Sequence, residues 1–372
     1  MIIHCAALLI VSTASAIQHP TGFTTVEECV QKGASVHYLL EDGQRWEDGK
    51  TRKQFVLTLE QGVVVREGGI VTNDGKILAD TETYKRDQQR LLAGKRDIST
   101  EEKMFFEGTL AVISTPGQQC YHHWLLQAVP RLKILADSHC PYDKIYVYAG
   151  NLKHRWQKDA LYTVMDYLAI PHNKLLFVED DTIVQAQKLL VPSVPWNPWV
   201  MNLEFWTYPF KWYKKFFNDV FVCTAQQTPK RIFISRAKAP CRRIRNEEAL
   251  MELLAALGFV SYSLEDLSIQ EQATLFKNAE VIVGPHGAGW TNLIFCKPGT
   301  KIIEIDHGVK GGEEDQRSVF KGMAKWMGCA YYPFYTDLVE PTDYTENIHE
   351  PINHDMTVDC DAFERLLRCL LP

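Results

Sequence analysis

Two stretches in the second half of the chain combine residue types that chemistry can use. The first is Ser235-Arg236-Ala-Lys238-Ala-Pro-Cys-Arg242-Arg243-Ile-Arg245, with five basic residues in eleven and no acid. A guanidinium is a planar fork of N–H donors that fits phosphate oxygens, and a helix N-terminus after the loop adds positive potential. The alternative is a solvated basic loop. The second is Gly284-Pro285-His286-Gly287-Ala288-Gly289-Trp290-Thr291-Asn292. Three glycines between a strand and a helix let backbone approach a ligand and leave N–H groups facing an anion. The spacing is neither a Walker loop nor the G-x-G-x-x-G dinucleotide fingerprint. His286 sits at the end of a strand pattern, where a side chain meets a ligand. Glu304 ends the next strand pattern; it could bond ribose hydroxyls or be a solvated or capping carboxylate. In the first half, His122 and His123 stand at a loop-to-helix junction. They could supply a general base near neutrality or form a buried, hydrogen-bonded pair.

Other chemistries are disfavoured. No G-x-S-x-G elbow favours a serine hydrolase, and no C-x-x-C pair or zinc spacing occurs. No D-x-D triplet is expected at a strand end, which disfavours a metal-chelated nucleotide sugar. No metal site is predicted. Lys plus Arg is 40 against 46 Asp plus Glu, a net charge of −6, the wrong sign for a general nucleic-acid binder.

These residues need a scaffold. At 372 residues, 46% hydrophobic and 23% charged, the chain is an ordinary globular one with room for two domains. Met1 to Ile17 lacks Asp, Glu, Lys and Arg, and Ala14-Ser15-Ala16 suits signal peptidase. Residues 1–16 therefore read as a signal peptide or signal anchor, with a buried first strand or helix as the alternative. In a eukaryotic cell that predicts a secretory lumen, ER or Golgi, with membrane contact only through such an anchor. Nine of the ten cysteines remain once Cys5 leaves with the leader, and pairing and free thiols stay equally open.

Residues 20–115 carry turn signals such as Asp42-Gly43, Asp48-Gly49, Gly68-Gly69 and Asp74-Gly75. Within them, Gln54–Glu60 and Val63–Val65 read as a hairpin. From about residue 118 strands alternate with helices. Strands are expected at 144–148, 175–178 and 188–191, with helices at 123–136 and 159–168. The proline-rich segment 192–199 reads as a connection. The aromatic helix 203–217 could line an acceptor groove or pack between domains. Five strands and four helices then follow from Arg231 to Tyr332, with an amphipathic terminal helix at 359–371. The expected architecture is α/β, with an N-terminal domain at 17–200 and a C-terminal nucleotide-sugar domain at 201–372.

The segments YHHWLLQAVPRL, RIFISRAKAPCRRIRNEEAL and VGPHGAGWTNLIFCKPGTKIIEI together resemble glycosyltransferase family 61. The resemblance implies a GT-B-like fold: two Rossmann-like domains facing a cleft, here with a small β-rich N-terminal part. It implies inverting transfer from a UDP-sugar, xylose or N-acetylglucosamine, to a hydroxyl of a glycan or glycoprotein. No cofactor or essential divalent metal is implied. By position, Arg236, Arg242 and Arg243 would neutralise the diphosphate. His286, Gly287, Ala288 and Gly289 would lie beside it, and Thr291 and Asn292 would open the following helix. His123 matches the family's first-domain histidine. Many members have an acid where this chain has Gln127, and an amide cannot accept a proton, so His123 or His122 is expected to act as base, or else a carboxylate elsewhere. The other reading is an inactive, lectin-like or nucleotide-binding member of the same fold.

Overall fold

The computed structural model describes residues 22–39, 54–79, 103–150, 152–179, 182–195, 207–221, 227–306, 318–339 and 353–371. The leader, the turns at Asp42-Gly43 and Asp48-Gly49, and the segment 196–199 lie outside them. The chain divides into two compact units, Met1–Phe205 and Trp206–Pro372.

In unit 1 the first elements are β1 (Phe23–Thr24), α1 (Val26–Gln31), β2 (Ser35–Leu39), β3 (Gln54–Glu60), β4 (Val63–Val65), β5 (Gly69–Val71) and β6 (Ile77–Leu78). They are followed by β7 (Lys103–Val112), α2 (Tyr121–His123), α3 (Arg131–Ser138), β8 (Lys144–Tyr148), α4 (Arg155–Tyr167), β9 (Leu175–Val178) and β10 (Ile183–Pro192). All ten strands form one sheet. Its parallel part is β10-β7-β8-β9.

The expected hairpin is corrected. β3 and β4 do not pair with each other; both run antiparallel along β10, β3 against 188–192 and β4 against 183–185. Gln61 and Gly62 form a bulge between them, not a reversal. Gln61 N donates to Gln187 O at 3.0 Å and Ala186 N to Gly62 O at 2.9 Å, so pairing with β10 continues. A Cβ on Gly62 would lie 2.9 Å from Leu189 Cβ, which explains the glycine by close packing rather than by a turn. The N-terminal strands are thus not a separate β-rich part. They complete the sheet, whose buried centre includes Leu57, Leu110, Val112, Val184 and Leu189.

Unit 2 begins with α5 (Thr207–Val220). It continues through β11 (Arg231–Ile234), α6 (Glu247–Ala256), β12 (Val260–Tyr262), α7 (Ile269–Asn278), β13 (Val281–Pro285) and a 3-10 segment, Ala288–Phe295. β14 (Lys301–Asp306), α8 (Ser318–Met327), β15 (Ala330–Tyr335), β16 (Asp337–Val339), β17 (Asp355–Thr357) and α9 (Cys360–Leu370) complete it. Local signals act as read: Gly258 ends α6 at φ +78, and Ser268 and Glu271 cap α7 reciprocally. The main sheet is fully parallel, in the order β12-β11-β13-β14-β15. Apolar strands covered on both faces make its core, with Phe233, Val283 and Ile303 against Leu250, Phe363 and Leu367.

Candidate active site

The chain leaves β11 for β12 on one side of the sheet, then returns to place β13 on the other. Ligands in such sheets bind at the carboxyl ends of the strands where the order reverses. Both chemical stretches of the sequence meet that position, one after β11 and one after β13. Their contact is close. A Cβ on Gly287 would fall 2.2 Å from Arg236 Nη1, so the guanidinium lies against bare backbone. Gly287 itself is extended, at φ 168; glycine is needed there for space. Gly289 has the same reason, since a Cβ would reach Leu264 Cδ1 at 2.8 Å.

In the basic loop Lys238 pairs with Asp266, and the four arginines divide into two pairs. Arg243 and Arg245 share Asp355: Arg243 N donates to Oδ1 at 2.8 Å, Arg243 Nε to Oδ2 at 3.1 Å, and Arg245 Nε lies 2.8 Å from Oδ2. Around them Met356 N donates to Arg243 O, Arg245 N to Met356 O, and Val358 N to Asn246 Oδ1. The C-terminal segment thereby holds the loop in shape. The other pair is Arg236 and Arg242. Arg236 Nη2 donates to Cys241 O at 3.2 Å, while the Nε atoms of Arg236 and Arg242 are buried without a hydrogen-bond partner. Among the described residues neither has an ion pair. Burial, then the Arg242 charge, holds the Arg236 guanidinium below its usual value. Glu265 exerts only a smaller opposing pull on Arg236, and two neighbouring cations with no ion pair leave room for an anion.

This division separates the expected effects. Arg243→Ala breaks a half-exposed ion pair with a buried carboxylate, which costs ~1–3 kcal/mol. The melting temperature should fall by ~2–10 °C, and anion affinity should change less than in an Arg242 variant. Thermal unfolding beside calorimetry checks both.

His286 is buried, its Nδ1 2.7 Å from Glu304 Oε1. Tyr331 Oη donates to Glu304 Oε2. Burial, then the neighbouring carboxylate, pushes the Tyr331 phenol up, so it stays a donor. Glu304 is engaged by an imidazole and a phenol, an arrangement that orients His286. Asn292 is fully buried and bonds Gln272 Oε1 at 2.8 Å and Gly289 O at 3.1 Å, and Thr291 is fully buried too. These two shape the segment, while Ala288 is half-buried at its mouth.

In unit 1, His122 and His123 follow the loop leaving β7. Gln118 Nε2 donates to Tyr148 O at 2.7 Å, Gln157 Nε2 to Gln118 O at 3.2 Å, and Trp124 Nε1 to Gln157 O at 3.0 Å. Arg131, fully buried, ties β7 to β10 through Ser114 O and Pro192 O. After α2 the helix widens into a π turn, Trp124–Ala128, with Val129 N bonded to Trp124 O. Pro130 lacks the N–H that would continue an α ladder, a local reason for the widening. His123 Nδ1 lies 2.8 Å from Gln127 Oε1. An amide oxygen only accepts, so Nδ1 carries the proton and Nε2 the lone pair. Burial lowers the His123 pKa from 6.5 to about 4 against the opposing Gln127 bond. The rings of His122 and His123 meet edge to face, 5.5 Å apart.

One expectation about metals needs correction. The single D-x-D triplet, Asp359-Cys360-Asp361, follows β17, a short strand not anticipated from sequence. Asp359 Oδ1 accepts from Ala362 N at 3.0 Å, so this carboxylate caps α9. No group of three or more metal-ligating side chains is found among the described residues. Sequence reasoning missed Asp355 and Tyr331. Asp355 lies over a hundred residues from its arginines, and nothing local marks either residue.

A parallel α/β sheet with two guanidinium groups outside any ion pair at its order switch defines the class, an α/β fold with a cationic strand-end site. Within that class, residues 121–303 of the chain match the family described as Glycosyltransferase 61. A β-1,2-xylosyltransferase of Arabidopsis thaliana is 33% identical over 96 residues, 25% of this chain. The chain spans only 17% of that relative's length.

Proposed function

We propose that this protein is an inverting glycosyltransferase that moves a sugar from a UDP-sugar to a hydroxyl of a glycan or glycoprotein. One observation carries the reading: Arg236 and Arg242 sit together at the switch point with buried, unpartnered Nε donors. A diphosphate would supply acceptors to both and neutralise their mutual repulsion. As the glycosidic bond to UDP breaks, negative charge grows on the diphosphate, where preorganised cations stabilise it. His286, oriented by Glu304 and Tyr331, stands beside that position. The base that takes the acceptor proton is His123 through Nε2, with His122 as its neighbour. The reading includes a GT-B arrangement, with the donor held by unit 2 and unit 1 on the acceptor side.

Xylose and N-acetylglucosamine are the proposed donor sugars, and the named xylosyltransferase relative supports xylose first. A secretory lumen is the proposed location. No described helix is long and apolar enough to cross a membrane.

Because arginines balance the diphosphate charge, activity should survive EDTA with little change. The test is UDP calorimetry in EDTA, followed by UDP-xylose and UDP-N-acetylglucosamine hydrolysis. UDP binding with slow sugar release supports the proposal. UDP binding without turnover in either donor or acceptor assays would favour the lectin-like reading. Loss of activity in EDTA, restored by manganese, would overturn the metal-free mechanism.

A further inference from the structure

The 3-10 segment that follows the glycine-rich loop ends beside Cys296, and α8 ends beside Cys329. The two ends run side by side: Gly299 N donates to Gly328 O at 2.8 Å, and Ala330 N to Thr300 O at 2.9 Å. Gly328, at φ +71, packs so closely that a Cβ would lie 3.3 Å from Pro298 Cβ. Cys329 Sγ comes within 3.7 Å of Lys297 O, the peptide next to Cys296. The two thiols also lie near enough to bias each other's protonation. Cys296 is buried and Cys329 half-buried.

We propose that Cys296 and Cys329 close into a disulfide in an oxidising compartment, covalently tying the segment below the glycine-rich loop to the turn that enters β15. The inference stands on this geometry and needs no assumption about the donor or acceptor.

The two sulfurs are suited to different steps. The neighbouring Cys296 side chain, then the Lys214 ammonium on α5, favour the Cys329 thiolate, while burial pushes the Cys296 thiol up. A lowered, half-accessible thiol is the attacking group in thiol–disulfide exchange. The Cys329 thiolate attacks one sulfur of a small disulfide such as glutathione disulfide, forming a mixed disulfide and releasing one thiolate. The Cys296 thiol gives its proton to that thiolate and attacks the Cys329 sulfur, releasing the second. One disulfide is reduced to two thiols, and two cysteine thiols become one S–S bond.

The test equilibrates the purified full chain with glutathione disulfide, alkylates remaining thiols and maps peptides without reduction. A cross-linked Cys296–Cys329 peptide is expected, and the oxidised chain should melt ~5–10 °C above the dithiothreitol-treated one. Cys329→Ser should lose both the cross-link and the redox-dependent shift; Cys296→Ala, which fills the buried site with an apolar group, should do the same. Full alkylation of both cysteines after oxidation would overturn the proposal. So would an undiminished melting shift in Cys329→Ser, because the stabilising bond would then lie elsewhere.

Discussion

Arg242→Gln should weaken UDP binding ~10–150-fold, the loss of one charge-assisted contact worth ~1.5–3 kcal/mol. Its melting temperature should stay the same or rise. A structural arginine would behave differently, because removing it would strand a partner and lower stability. Here no ion pair holds Arg242 among the described residues, and its charge repels a buried Arg236 beside it. Removing one of two neighbouring cations relieves that repulsion in the empty protein. The cost is felt only when an anion is bound. The left-handed backbone of Arg242, at φ 57, is shared by the variant, so the comparison isolates the side chain. Calorimetry with UDP and a thermal melt decide the matter. Unchanged affinity would remove Arg242 from the site, and a melt lowered by several degrees would make it a structural residue.

His123→Ala should lower turnover ~10²–10⁴-fold and leave UDP affinity intact, the effect of losing a general base. The acid limb of the wild-type rate profile should fall near pH 4. An exposed imidazole would place it near pH 6 to 7, but burial holds His123 neutral down to about 4. Gln127→Glu should move the limb upward, because a carboxylate against Nδ1–H favours the imidazolium. Stability follows the same protons. The unfolded chain binds a proton at His123 near 6.5 while the folded chain waits until about 4. Stability therefore rises with pH across that window, and falls by roughly 3 kcal/mol as pH drops through it. His123→Ala should flatten this part of the melting profile. A variant that keeps more than about a tenth of wild-type turnover would assign His123 a packing role.

The stability contrast also explains why Arg242 and Arg243, adjacent in sequence, are expected to differ. Successive residues in extended backbone point opposite ways. Here the left-handed Arg242 breaks from the segment that Met356 pairs with, and Arg243 turns to Asp355.

Unit 2 was readable because each of its signals is local. Short apolar-rich runs such as Arg231–Ile234 and Lys301–Ile305 between turn signals read as buried strands, and Gly258 and the Ser268–Glu271 box mark helix ends through their own backbone bonds. The basic and glycine-rich loops could be placed because a parallel sheet puts its loops at strand ends. Unit 1 was harder. Gln61-Gly62 has the composition of a turn, and only the presence of β10, more than a hundred residues away, makes it a bulge in a strand that runs on. By itself, the sequence determined which segments are strands, which loops carry positive charge, and that His123 has an amide neighbour. Tertiary structure alone decided which arginines are occupied by Asp355 and which stand unpaired. It also decided that Glu304 serves His286 and Tyr331, and that His123 is buried enough to stay neutral. Charge pairing and desolvation depend on groups brought together from distant parts of the chain, and local pattern carries no record of those meetings.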